Sequence, residues 1–313
     1  MYKILMDYVS HSPLGVILIA NKIYLKDGYR LKSDFKFTAE NFFRAEVENV
    51  DFTRKDFAVA LINNWVGRKT RNRITRLIES NDFDPWTTQA ILLNAVYFKG
   101  NWLLPFNDYF TREHIFHVSD TESVKCQMMY NEDHFEYGEI LTLRSKVLKL
   151  KYKDERFSMV IVLPEPEINL NTLEQRLFRI DMSTLDMQRR KVAVFLPKFK
   201  IETTLHLEEQ LKQIGLGDIF SSYANFSNMI ASDEGFTIGK VIQKVFIEVS
   251  EKGTEAAAAT ALEVVQLSLG PPVPLFKANR PFMFYITVDE LNEKCANCNT
   301  VLFMGKVVHP KFS

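Results

Sequence analysis

Residues 251–276 read EKGTEAAAATALEVVQLSLGPPVPLF: alanines, then branched residues, then a cluster of turn formers. Alanine is the best helix former, so propensity alone predicts a helix over residues 254–262. A helix that short is marginal without an apolar face to pack. Gly270, Pro271, Pro272 and Pro274 also stop any continuation. The segment must have a use that ordinary helix packing does not supply.

The rest of the chain sets the frame. Its 313 residues bury a large core. Lys plus Arg and Asp plus Glu both total 39, and this zero balance argues against nucleic acid as a partner. The longest apolar run, LGVILIA at residues 14–20, is too short to cross a membrane and reads as a buried strand. Residues 1–10 carry charges but no apolar core with a cleavage site, so no signal peptide is expected. Cys126, Cys295 and Cys298 are too few for a disulfide scaffold and leave the redox compartment open.

Strands are predicted at 16–25, 89–98, 148–152, 158–163, 191–196, 241–249, 281–288 and 300–308, the last two forming a hairpin. Helices are predicted at 38–47, 57–79 (ended or bent by Gly67), 170–180 and 205–214, the last stopped by Gly215 and Gly217. Strands and helices mix without regular βαβ alternation and without an internal linker. The fold class is therefore α+β, in a single domain over residues 1–313.

No nucleophile elbow, phosphate loop or dinucleotide fingerprint is present, and no enzyme or cofactor is expected. His114 and His117 fall on opposite faces of a strand, which argues against a shared metal. Cys295 and Cys298 have redox-motif spacing without the helix and βαβ context; a turn bearing two thiols, bridged or free, fits better. Arg68, Lys69, Arg71, Arg73 and Arg76 read first as a solvated helix face, with a glycosaminoglycan site as the alternative. Asn225, in Asn225-Phe226-Ser227, is a candidate glycosylation site.

The ordered motifs resemble one family, the serpins. They are INNWV at 62–66 with Thr70 and Ile74, NAVYFKGNW from Asn94 to Trp102, LPKFKIE at 196–202, LKQIGLGDIF at 211–220, EVSEKGTEAAAAT at 248–260, and FKANRPFMF with LFMGKVVHP near the C-terminus. The resemblance spans about residues 14–310 and implies a large central sheet A, sheets B and C, and surrounding helices. It makes 251–276 an exposed reactive-centre loop that enters sheet A as a strand once cut, trapping a serine protease as an acyl-enzyme.

As a strand, the segment has period two. One face carries Thr254, Ala256, Ala258, Thr260, Leu262 and Val264, all small or apolar. The other carries Glu255, Ala257, Ala259, Ala261, Glu263 and Val265. Helical spacing also brings the two glutamates near one another, so the alternation supports insertion without demanding it. By resemblance the hinge runs through Glu251, Gly253, Thr254, Glu255, Ala256, Ala257, Ala258, Ala259 and Thr260. Counted by the family's usual spacing from both flanking motifs, the resemblance implies a scissile bond at Leu267-Ser268. Leucine there suits a chymotrypsin-like protease, with elastase-like or cathepsin G-like targets second.

Two departures stand out. The family's N-terminal helices have no counterpart here, so a truncated chain or unusual isoform is expected. Gln243 stands where the family has a histidine, next to the position of Asn94 where sheet A opens; glutamine can donate and accept there. A non-inhibitory serpin or an inactive isoform is the alternative function. The resemblance implies an extracellular, secreted glycoprotein, and the missing signal peptide leaves the cytoplasm as the alternative.

Overall fold

A computed structural model describes residues 2–10, 17–177, 185–231, 235–252, 273–288 and 300–312. The positions expected to form the hinge and the scissile bond, Gly253, Thr254, Glu255, Ala256, Ala257, Ala258, Ala259, Thr260, Leu267 and Ser268, lie outside them, as do Cys295 and Cys298. The elements run α1 (Tyr2–Ser10), β1 (Ile17–Lys26), α2 (Ser33–Phe42), β2 (Ala45–Val50), α3 (Lys55–Lys69), β3 (Ala90–Phe98), β4 (Arg112–His117), β5 (Ser123–Ile140) and β6 (Ser145–Lys151). They continue with β7 (Phe157–Pro164), α4 (Leu170–Leu177), β8 (Gln188–Pro197), β9 (Phe199–His206), α5 (Glu208–Leu211), β10 (Lys240–Val249), β11 (Leu275–Lys277), β12 (Phe282–Val288) and β13 (Thr300–Val307). Contacts divide the chain into two compact units, residues 1–98 with 201–247 and residues 99–200 with 248–313.

The first unit is built on a five-stranded sheet in the order β2-β1-β3-β10-β9. Helix α3 buries Ala58, Ile62, Trp65 and Val66, the i, i+4, i+7, i+8 stripe of a helix with one apolar face. After α3 the chain doubles back and buries Ile74, Leu77 and Ile78 in the same core as Ile91, Leu93, Ala95 and Ile242. Side chains of the INNWV motif hold this return strap. Asn63 Oδ1 accepts from Leu77 N (2.8 Å) and Ile78 N (3.1 Å), while its Nδ2 donates to Ile78 O (2.9 Å). Thr70 Oγ1 donates to Val66 O (2.8 Å) and accepts from Ile74 N (3.0 Å).

The structure moves several sequence boundaries. The helix expected at 38–47 ends at Phe42; Arg44 is left-handed (φ 50°), and Ala45–Val50 joins β1 as a parallel strand. Gly67 does not end α3, which runs on to Lys69. A Cβ there would lie 3.1 Å from Asn72 Oδ1, so glycine lets the strap turn back closely. The helix expected at 205–214 starts only at Glu208, because Leu205 and His206 complete β9; it then widens into a turn with Gly215 at φ 93°. The basic run is likewise no helix face: α3 ends at Lys69, and Arg71, Arg73 and Arg76 belong to the turn and strap.

The second unit holds an eight-stranded sheet ordered β11-β8-β5-β6-β7-β12-β13, with β4 added on β5. Strand β7 is buried along its whole length, and β12 pairs with both β7 and β13. Gly305 lies opposite Phe284 in that register. A Cβ on it would stand 2.7 Å from the Phe284 ring, so only glycine fits this position of the LFMGKVVHP motif. His114 packs against Phe195 while His117 contacts Ser123. Among the described residues no group of acidic, His and Cys side chains is placed to hold a metal, and no helix is long and apolar enough to cross a membrane. Burial pushes the thiol of Cys126 up to about 11.

Candidate functional site

The centre of the five-stranded sheet is a parallel seam. Strands β3 and β10 pair from Ile91–Lys240 to Phe98–Ile247, with Asn94 opposite Gln243 and Asn21 of β1 opposite Asn94. The three amides form a relay across three strands. Gln243 Nε2 donates to Asn94 Oδ1 (2.8 Å), Asn94 Nδ2 donates to Asn21 Oδ1 (2.7 Å), and Asn21 Nδ2 donates to Phe43 O (3.1 Å). Gln243 thus makes a direct bond to Asn94 across the seam. Asn21 belongs to none of the motifs, and its only signal in the sequence is an asparagine amid the apolar ILIA and IYL of β1.

The opposite face of the seam carries a buried cation. Lys244, 7% exposed, donates to Arg76 O of the strap (2.6 Å) and pairs with Glu202 of β9 (2.6 Å). Tyr97 and Phe246 stack across the same seam at 5.2 Å. The sequence sign of this strap contact is a lysine on the face of β10 that also carries Ile242 and Phe246.

In the second unit, the residues that follow the seam are clamped. Lys99 pairs with Glu248 (2.7 Å), and Trp102 Nε1 donates to Ser250 O (2.9 Å). Trp102 itself is fixed by stacking on Tyr152 at 4.4 Å. Glu251 is held by backbone and side chain together. Phe106 N donates to Glu251 O (3.1 Å), Thr111 Oγ1 donates to Oε1 (2.8 Å), and Lys198 pairs with Oε2 (2.9 Å). Burial works to raise the Glu251 pKa, but the bonds from Lys198, from its own backbone amide and from Thr111 together hold it below the usual carboxylate value. Glu251 is therefore a buried anchor.

A depressed folded pKa adds stability above the unfolded value, about 4.3, and loses it as pH falls through the lower folded value. Glu251→Gln should therefore lower stability by about 2 kcal/mol at neutral pH. Its deficit should shrink below about pH 4.3, the unfolded carboxylate value. Urea midpoints across that range check this; a deficit indifferent to pH rules out the carboxylate charge as its source.

Asn225 is exposed in a turn where its Oδ1 accepts from Ser227 N (3.1 Å). Arg68, Lys69, Arg71, Arg73 and Arg76 are all exposed; Lys69 pairs with Glu46, Arg76 lies 3.4 Å from Glu79, and Arg73 sits over the Tyr97 ring.

An α+β chain with a central parallel seam and a clamped exit matches a family model, Serpin (serine protease inhibitor), over residues 2–310. The chain belongs to the serpin family. It is 36% identical over 298 residues to antichymotrypsin-2 of Bombyx mori, covering 93% of this chain and 76% of that protein. It is 34% identical over 304 residues to neuroserpin of Gallus gallus, covering 95% of this chain and 72% of the other. Among solved structures, Serpin48 of the insect Tenebrio molitor superimposes with a TM-score of 0.85 at 32% identity, covering 99% of this chain and 80% of that one. Native protease nexin-1 with heparin gives 0.81 at 30% identity, covering 99% and 81%.

Proposed function

We propose that this serpin is a suicide-substrate inhibitor of a chymotrypsin-like serine protease, with Leu267-Ser268 as its bait bond. The parallel β3–β10 seam carries this reading. A chain that leaves the end of β10 and folds back between these strands runs antiparallel to both. It exchanges one parallel ladder for two antiparallel ones, which are the more stable kind per residue. At about 1 kcal/mol per net bond, insertion gains on the order of 10 kcal/mol, comparable with the roughly 5–15 kcal/mol that holds a protease folded.

The chemistry belongs to the target. Its serine Oγ attacks the Leu267 carbonyl, the bond to Ser268 breaks, and the amine of Ser268 leaves protonated. The Leu267 acyl ester remains on the protease, and insertion distorts the protease before water can cleave the ester. The small face of Thr254, Ala256, Ala258 and Thr260 suits the buried side of the new strand. The loop has no Arg or Lys between Lys252 and Lys277, so a trypsin-like pocket finds no partner. Sulfated glycosaminoglycan at the basic turn, a glycan on Asn225 and an extracellular setting are secondary parts of the same proposal; the heparin in the protease nexin-1 structure supports the first.

Incubation with chymotrypsin should give an SDS-stable complex and release a C-terminal fragment beginning at Ser268. Mass spectrometry of that fragment decides the bond. A start after Val265 or Leu269 reassigns the specificity residue, and cleavage without any complex favours the non-inhibitory reading.

A further inference from the structure

In the second unit, the segment that follows β13 returns to the clamp. Pro310 is buried, and Lys200 N donates to Lys311 O (2.7 Å), which ties this segment beside the start of β9. Phe312 comes next, partly buried, and its ring meets two cations. Lys198 Nζ lies 4.5 Å from the ring centroid and Lys200 Nζ 4.6 Å. Both distances are within the range of a cation–π contact. Lys198 is also the cation that meets Glu251 Oε2 at 2.9 Å, so one ammonium is shared between a carboxylate and an aromatic ring.

We propose that Phe312 is a positioning residue for the Glu251 anchor: its ring holds the Lys198 ammonium against the carboxylate and so sets how readily the chain leaves the clamp. Lysine carries its charge on a long flexible stem, and ordering that stem costs entropy that the ion pair must offset. A ring over the ammonium removes much of that freedom in advance. It also keeps water from one side of the charge, which strengthens the attraction to Glu251. The backbone on both sides of the contact is fixed independently, because Lys198 N donates to Gln127 O (2.8 Å) and Lys311 O accepts from Lys200 N. The ring can therefore be altered without freeing either segment. Thr111 Oγ1 still holds the other carboxylate oxygen (2.8 Å), so a looser Lys198 weakens the anchor without abolishing it.

Phe312→Leu keeps an apolar side chain and removes the aromatic face, whereas Phe312→Trp keeps the face. Both are compared with the parent in the full chain. Amide exchange at Phe106, whose N–H donates to Glu251 O, should quicken about threefold in Phe312→Leu, the loss of one cation–π contact. The Glu251 carboxylate, followed by carbon NMR, should titrate about half a pH unit higher in the same variant. Phe312→Trp should match or exceed the parent in both readouts, because indole offers the best cation–π face. Lys198→Met removes the shared ammonium, so adding Phe312→Leu to it should change neither readout further. A Phe312→Leu protein indistinguishable from its parent would show that the ring only fills space. Phe312→Trp behaving like Phe312→Leu would exclude the aromatic face as the cause. A full effect of Phe312→Leu in the Lys198→Met background would mean that Phe312 reaches the clamp by another route, and each of these results overturns the proposal. Neither readout involves a protease, so the proposal and the inhibitory reading can fail separately.

Discussion

Under the proposed mechanism, Thr254→Arg is expected to turn the protein from a trap into a substrate. Thr254 leads the small face of the segment, two residues beyond Lys252. Insertion would draw the arginine into a sheet interior already lined by Leu93, Ala95 and Ile242. An unpaired buried charge costs about 3 kcal/mol or more. If the transition state bears most of that, insertion slows about a hundredfold. Deacylation would then win the race. Leu267 lies thirteen residues further on, so recognition and the first cleavage should be unchanged. The measurement is the number of inhibitor molecules consumed per protease inactivated, which should rise from near unity by an order of magnitude or more. A variant that traps as well as its parent would show that insertion is not how this protein works.

Asn63→Ala should lower the first urea transition by about 3 kcal/mol, roughly 1 kcal/mol for each backbone group released. The released groups are Leu77 N, Ile78 N and Ile78 O, bonded to that one side chain. They sit beside fully packed Ile78 and Leu77, where water has little access. Asn63→Asp keeps the acceptor for Leu77 N and Ile78 N but sets a carboxylate oxygen against Ile78 O, so it should recover only part of the loss. If both variants shift the transition equally, packing around position 63 rather than the amide bonds holds the strap.

Much of the sheet framework was legible because its strands are apolar and branched. VILIANKIYL, QAILLNAVYF and SMVIVL became β1, β3 and β7 within a residue or a few at each end. The 18-residue strand β5 was not legible, since SVKCQMMYNEDHFEYGEI dilutes its buried positions with charges. Those charges face solvent or pair across strands, as Glu132 does with Lys191 at 3.0 Å. Helix ends were misplaced for the same kind of reason. Residues 45–50 have helix-compatible composition, but pairing with β1 satisfies a whole row of backbone groups, and propensity differences are too small to compete.

The site divides in the same way. Sequence alone determined the character of residues 251–276, because alternating small residues, the lack of basic residues after Lys252 and a proline-rich exit are properties of the chain itself. It also marked Asn94, Trp102 and Gln243, whose motifs are contiguous. Tertiary structure alone decided their partners. Asn21 reaches Asn94 from 73 residues away, Lys244 reaches the Arg76 carbonyl from 168, and Thr111 reaches Glu251 from 140. Hydrogen bonds and ion pairs act over a few ångströms, so such partners exist only once the sheets have fixed which distant residues face one another. Glu251 shows the consequence: the resemblance marked it as the start of an expected hinge, and Lys198, Thr111 and Phe106 make it an anchor.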